Sequence, residues 1–337
     1  MSRMTTTGRG GRGLGSLLQK TGQYRDVLRA IRRAKRIAVC VHMFPDGDAL
    51  GSMTGLALAL KRLKKDVTLF SPSALPARYR FLPHYSSIRL KPAKSSPFDL
   101  AIALDCASWV QLGKFHEDVF LKAKQAVEID HHTFRKSFAD LKIIDKKAAA
   151  VGEIVYRLVR MLGLSPDRQM AVCLLVSIIV ETGSFRLPTI TADTFKICAE
   201  LISRGVNYYQ LVEKSYWSRT RQEAMLLGIC FSRVRFYNRG RLAVTYVRAS
   251  DIQRLKASEE DVDPIADQIR TLKDIKVLLL FRQMPDAGWR VSLRSKGFVN
   301  VGQIAEEFGG GGHPDVAGCF IGRHDMKRLI RRAQREL

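Results

Sequence analysis

Three short polar stretches each follow an apolar run. His42, Asp46 and Asp48 lie in His42-Met43-Phe44-Pro45-Asp46-Gly47-Asp48, directly after residues 37–41; Asp105 ends the run 100–104; Asp130-His131-His132 ends the run 126–129. Carboxylate oxygens and imidazole nitrogens together suit divalent ions such as Mn²⁺ or Mg²⁺, and the absence of cysteine from the set argues against a structural zinc site. Taken singly, an Asp after a strand is more often a turn residue or a helix cap. Taken together, seven such groups brought to one place would repel one another without cations to neutralise them. That excess of carboxylates suits two ions. A pair about 3.5–4 Å apart, bridged by a carboxylate and by a water of lowered pKa, is suited to attack on phosphorus.

What can gather these residues is a sheet. Residues 37–41 read as a short, buried, β-branched strand and 49–63 as an amphipathic helix, with Gly47 and Gly51 expected to let the backbone approach a bound anion. Further strands are predicted over 66–70, 98–104, 126–129 and 141–144, separated by crossover-length segments. This pattern predicts an α/β fold, a parallel sheet with helices on both faces. Ligands of such sheets bind at the carboxyl edge, where all three polar stretches leave their strands. Helices are predicted over 148–163, 166–180, 191–204, 208–216 and 220–236. Strands over 242–247, 275–281, 289–293 and 317–321, a helix near 301–308 and a basic terminal helix complete the chain. The resulting organisation is a disordered basic tail (1–20), a first domain (21–190) opened by a short basic helix over 24–35, a helical connector (191–238) and a smaller α+β domain (239–337).

Lys and Arg number 56 against 32 Asp and Glu, a net charge of +24 that steers the chain toward polyanions without specifying a fold. The longest apolar stretch, 170–180, is interrupted by Ser177 and falls short of the about 20 residues that cross a bilayer. No charged-then-apolar secretory segment opens the chain, so a cytoplasmic protein with no membrane partner is expected. The six cysteines are scattered, without a Cys-x-x-Cys pair, and read as reduced, buried small hydrophobes.

The three polar stretches in this order, with Gly51-Ser52 after the first, resemble the first three motifs of the DHH phosphoesterase superfamily. Glu181-Thr182-Gly183-Ser184-Phe185-Arg186 is similar to its fourth, and the run from Gly309 to Cys319, containing Gly310-Gly311-Gly312-His313, resembles the signature of the DHHA1 domain. Size and domain pairing look most like the nanoRNase/pAp phosphatases, so the 21–190 segment is expected to be the DHH domain and 239–337 the DHHA1 substrate-binding domain. The resemblance implies a metal-dependent phosphoesterase that hydrolyses short oligoribonucleotides to mononucleotides and dephosphorylates adenosine 3′,5′-bisphosphate through a hydroxide activated by two ions.

Carried over by motif, it implies one Mn²⁺ (or Mg²⁺) on His42 and Asp46 and a second on Asp48 and His131, with Asp105 bridging. Asp130 would orient a ligand, and His132 would act as a proton donor facing the scissile phosphate. The family's fourth motif has Asp where this chain has Glu181; the longer carboxylate is expected to remain a ligand of the second ion. Ser292, Arg294, Ser295 and Lys296 resemble the family's substrate anchor. Together with Gly310, Gly311, Gly312 and His313 they would hold one end of short single-stranded RNA or a nucleotide while the first domain cuts. A homodimer is consistent with the resemblance. The alternatives are a phosphodiesterase for linear or cyclic dinucleotides and a catalytically weakened RNA-binding regulator, the latter motivated by Glu181 and the positive charge.

Overall fold

The computed structural model describes residues 11–337 other than 93–96, 134, 218–219, 259–260, 263, 285–287 and 313, with side chains from residue 22 onward. The chain divides between residues 218 and 219 into two compact units. The first contains α1 (Gly11–Arg33), β1 (Arg36–Val41), α2 (Gly47–Arg62), β2 (Asp66–Phe70), β3 (Leu100–Leu104), β4 (Ala126–Asp130), β5 (Leu141–Ile144), α3 (Val151–Met161), α4 (Arg168–Glu181), α5 (Ala192–Ile202) and α6 (Tyr208–Tyr216). Helix α1 begins earlier than the predicted 24–35. Leu17-Leu18-Gln19-Lys20 are good helix formers and no proline intervenes, so the helix occupies the second half of the segment expected as a tail; residues 1–10 lie outside the described residues.

The strands form a five-stranded parallel sheet in the order β2-β1-β3-β4-β5. The order reverses between β1 and β3, the switch point at which a crevice opens beyond the strand ends in such sheets. Register does the rest. Val41 pairs with Leu104, which pairs with Ile129, so the next residues along each chain, His42, Asp105 and Asp130, emerge side by side. Alternation along β1 sends Ile37, Val39 and Val41 into the core shared with the long helices, and Ala38 and Cys40 into a smaller one. That second face is covered by Leu112 from the short helical turn Trp109–Leu112, and by Phe115, Val119 and Phe120 at the start of and within the turn His116–Phe120.

Helix α4 is buried nearly all round, and α2 crosses it on a stripe of Gly47, Gly51 and Gly55. A Cβ on Gly51 would lie 2.5 Å from the Cys173 carbonyl oxygen and 2.8 Å from the Ser177 nitrogen. Gly47 likewise meets Val180. The expectation that these glycines admit an anion is therefore corrected: they admit α4. Gly51→Ala is expected to cost about 1–3 kcal/mol by overpacking, read as a lower denaturant midpoint.

The second unit contains α7 (Arg221–Ser232), β6 (Arg235–Tyr237), β7 (Leu242–Val247), α8 (Ala249–Leu255), α9 (Ile265–Ile269), β8 (Val277–Gln283), β9 (Trp289–Ser295), α10 (Val301–Glu306), β10 (Gly311–Gly312), β11 (Val316–Ile321) and α11 (Met326–Gln334). Its mixed sheet runs β10-β11-β9-β8-β7-β6, with β7 and β8 parallel and the other pairs antiparallel. The helices expected as a connector divide their allegiance. Ile197, Cys198, Leu201 and Leu211 of α5 and α6 join the first core, whereas Leu226 and Cys230 of α7 pack with β7, β8 and α9. All six cysteines are free and buried. Among the described residues no helix is long and apolar enough to cross a membrane.

Candidate metal centre

Asp46 caps α2 in extended backbone, its Oδ1 accepting N–H bonds from Asp48 (2.9 Å) and Ala49 (3.1 Å). This cap fixes both the loop and the start of the helix. Asp48, in the first turn of the helix, is fully buried. Its Oδ2 accepts from the Val151 N–H (2.9 Å), and its Oδ1 from the Gly152 N–H (3.3 Å) and the Ser177 hydroxyl (2.5 Å). Val151 and Gly152 open α3, whose N-terminal dipole favours the anion. Close packing of α3 on α4 is what brings Ser177 there: a Cβ on Gly152 would sit 2.1 Å from the Ser177 hydroxyl.

Asp105 leaves β3 with φ +59, a left-handed conformation that Asp tolerates better than most residues. Its Oδ2 lies 3.5 Å from His42 Nε2, and its Oδ1 lies 3.8 Å from His131 Nε2 and 3.6 Å from His132 Nδ1. That buried Oδ1 accepts no hydrogen bond among the described residues. Glu181, at the end of α4, reaches the same place: its Oε1 is 3.5 Å from His131 Nε2, which is also 3.7 Å from Asp48 Oδ2. The donors fall into three overlapping groups, each within 4.8 Å: His42–Asp46–Asp105, Asp48–His131–Glu181 and Asp105–His131–His132. Asp105 belongs to two of them, which gives the cluster two lobes sharing one carboxylate.

The imidazoles are oriented for the same purpose. His42 Nδ1 lies 2.8 Å from the Met43 carbonyl, His131 Nδ1 3.2 Å from the Ala148 carbonyl and His132 Nδ1 2.6 Å from Asp130 Oδ1. Each partner can only accept, so Nδ1 carries the proton, and in neutral His42 and His131 Nε2 keeps its lone pair for a cation. His42 and His131 turn that nitrogen toward carboxylate oxygens. A lone pair facing carboxylates, together with the unbonded Asp105 oxygen, fits divalent ions.

Electrostatics agree. Burial, then the charges of Asp105 and Asp46, push the Asp48 carboxyl well above the ordinary range. Burial and Asp105 likewise raise Asp46. For Asp105, burial is outweighed by the His42 hydrogen bond and the charges of His132, His42 and His131, and its carboxyl is held low. Burial would lower His42, but its hydrogen bond to Asp105 and the charges of Asp105 and Asp46 lift it from 6.5 to about 9. A raised imidazole contributes stability that is complete below 6.5 and lost as pH rises through about 9. An incoming ion must displace that proton. Apparent metal affinity is therefore expected to rise about tenfold per pH unit up to about pH 9, measured by isothermal titration.

Behind the donors lies an ion network absent from the sequence reading. Asp130 Oδ1 accepts N–H bonds from His131 (2.8 Å) and His132 (3.3 Å), and its Oδ2 accepts from Arg135 Nε (3.0 Å). The same guanidinium lies 2.7 Å from buried Glu128, which also accepts from Ser137 and the Phe138 N–H. The available signal was Glu128, a charge inside a central apolar strand.

In the second unit the anchor residues serve the fold as well. Arg294 Nε donates to Asp267 (2.8 Å), and Ser295 Oγ accepts from the Val299 N–H (3.2 Å). Lys296 Nζ donates to the Leu272 carbonyl (2.6 Å). Ser292 pairs with Gly318, which pairs with Gly311, so these three form one row across the sheet. A Cβ on Gly310 would lie 2.1 Å from the Gly318 carbonyl oxygen, and one on Gly312 2.5 Å from that of Val316; both glycines are required for packing on β11. Gly311 faces open space. His313 lies outside the described residues.

Residues 36–178 match the DHH family, N-terminal domain, and residues 240–337 match the DHHA1 domain. The chain is 30% identical over 308 residues to the bifunctional oligoribonuclease and PAP phosphatase NrnA of Thermus thermophilus, covering 91% of this chain and 90% of that protein. It is 24% identical to the protein of the same name from Bacillus subtilis, covering 88% and 92%. In fold it is similar to an exopolyphosphatase-related protein of Bacteroides fragilis, with TM-score 0.86 at 22% identity over 94% of this chain and 95% of that one. The motif order, the strand-end cluster and these matches agree that the chain belongs to the DHH family, with a DHH N-terminal domain followed by a DHHA1 domain.

Proposed function

We propose that the chain is a metal-dependent phosphoesterase hydrolysing short oligoribonucleotides to mononucleotides and removing phosphate from adenosine 3′,5′-bisphosphate. The observation that carries the reading is the two-lobed cluster sharing Asp105, found in a chain similar over most of its length to proteins named for those two activities. His42, Asp46 and Asp105 would hold one Mn²⁺, and Asp48, His131, Glu181 and Asp105 a second; the oxygen and nitrogen donors admit Mg²⁺ as well. Divalent ions there supply a water of lowered pKa and neutralise charge on the phosphoryl oxygens.

The chain's own groups do the remaining work. Asp130 accepts the His132 Nδ1–H and so fixes the ring. Hydrogen bonding and charge from Asp130 outweigh burial and raise the His132 pKa, so the ring holds a proton to give to the leaving oxygen. The P–O ester bond breaks as the water oxygen bonds to phosphorus, and solvent reprotonates His132. In the second unit, Ser292, Arg294 and the exposed backbone around Gly311 would contribute to substrate binding. The net charge of +24 favours polyanionic substrates.

The test is incubation of purified protein with Mn²⁺ and labelled RNA of two to five nucleotides or, separately, the bisphosphate. Release of mononucleotide and of phosphate, falling as RNA lengthens, is expected. RNA binding without release would favour the regulatory alternative.

A further inference from the structure

Phe44 is out of place by every ordinary rule. It lies between His42 and Asp46, yet the residue is 53% exposed. Its backbone has φ +58, a region bulky residues rarely enter, and it precedes Pro45, which restricts that backbone further. Such strain persists only where the surroundings impose it, and it concentrates at functional sites. Here the surroundings are visible. The Met43 N–H donates to the Gln111 carbonyl (2.8 Å), and the Phe44 N–H donates to Ser73 Oγ (2.5 Å). Ser73 is tied in turn, its carbonyl accepting from the Ser71 hydroxyl (2.9 Å). The loop is thus clamped from both sides and holds Phe44 half-exposed.

A second aromatic stands on the clamp itself. Trp109, 48% exposed, opens the turn Trp109–Leu112 whose Gln111 carbonyl holds Met43. The loops after β1 and β3, which flank the switch point and carry metal-centre donors, therefore both present aromatic rings. Neither ring adds a donor for a cation, so the donor cluster does not account for them.

We propose that Phe44 is a stacking platform for a nucleobase of the substrate, rigidly mounted two residues from the His42 and Asp46 donors. This rests on the nucleotide substrate proposed above and adds a recognition element to it. An aromatic face accepts any base, because every base has a π-surface, and a pre-fixed ring loses little freedom on binding. Phe44 therefore favours nucleotides over other phosphoesters without selecting a sequence.

The experiment compares hydrolysis of an RNA dinucleotide with that of its abasic analogue by wild type, Phe44→Ala, Phe44→Leu and Phe44→Trp, with Mn²⁺ present. The preference in kcat/KM for the nucleotide over the abasic compound is expected to fall about tenfold in Phe44→Ala, mainly through KM. Phe44→Leu should fall comparably, since it keeps bulk but not the π-face, and Phe44→Trp should restore the preference. An active wild type whose preference is the same in Phe44→Ala overturns the inference alone. An unchanged preference with altered oligomeric state by sedimentation would overturn it and assign the ring to an interface between copies. A wild type inactive on both compounds overturns the nucleotide reading, and this one with it.

Discussion

Asp105→Ala is expected to lower kcat for RNA dinucleotides by about a thousandfold or more while leaving a folded protein. The size follows from the position of the side chain. Asp105 is the only residue common to the His42–Asp46 group and the Asp105–His131–His132 group, so its loss separates two lobes rather than weakening one. Its Oδ1 accepts no hydrogen bond among the described residues, and removing it orphans no donor at that atom. Asp105→Asn gives a stricter version, because Asn tolerates the φ of +59 and keeps the shape while discarding the charge. Both variants should stay folded, by circular dichroism, and fail to turn over. A near-normal rate in either would refute the shared carboxylate.

Arg135→Ala should produce a large loss of stability although it lies outside the donor set. Asp130 and Glu128 are each fully buried, and Arg135 bridges them with its side chain 8% exposed. Truncation leaves two buried carboxylates without their cation, a situation that costs about 3–5 kcal/mol. Activity should fall too, because Asp130 fixes His132 through Oδ1 while Arg135 holds Oδ2. The double change Arg135→Met with Glu128→Gln removes charge from both sides and should recover much of the stability. Chemical denaturation of the single and double variants measures this directly. Equal destabilisation of both would mean that the network matters through packing, not charge.

The sequence alone picks out the residues that the structure brings together at the sheet edge, because their positions are dictated by strand ends. A buried parallel strand is largely apolar, and the polar residue that follows its last apolar one marks the carboxyl edge; His42, Asp105 and Asp130 are each that residue. What could not be read was which side chains meet from helices. Ser177 shows as a blemish in an apolar run, but its bonds to Asp48 and Gly152 depend on how α3 crosses α4. The glycines of α2 show the reverse error: read as room for a ligand, they are room for a helix. Arg135 escaped notice because its partner Glu128 sits seven residues earlier, inside a strand expected to be apolar. The 191–238 segment reads as helices in either assignment, since their division between two cores is set by contacts far along the chain.

The measurement closest to the central claim is titration of the metal-stripped protein with Mn²⁺, followed by electron paramagnetic resonance. Two ions per chain, with the spectrum of a magnetically coupled pair that Asp105→Ala converts to isolated ions, is the expected result. One ion per chain, or two that remain uncoupled in the wild type, would contradict it.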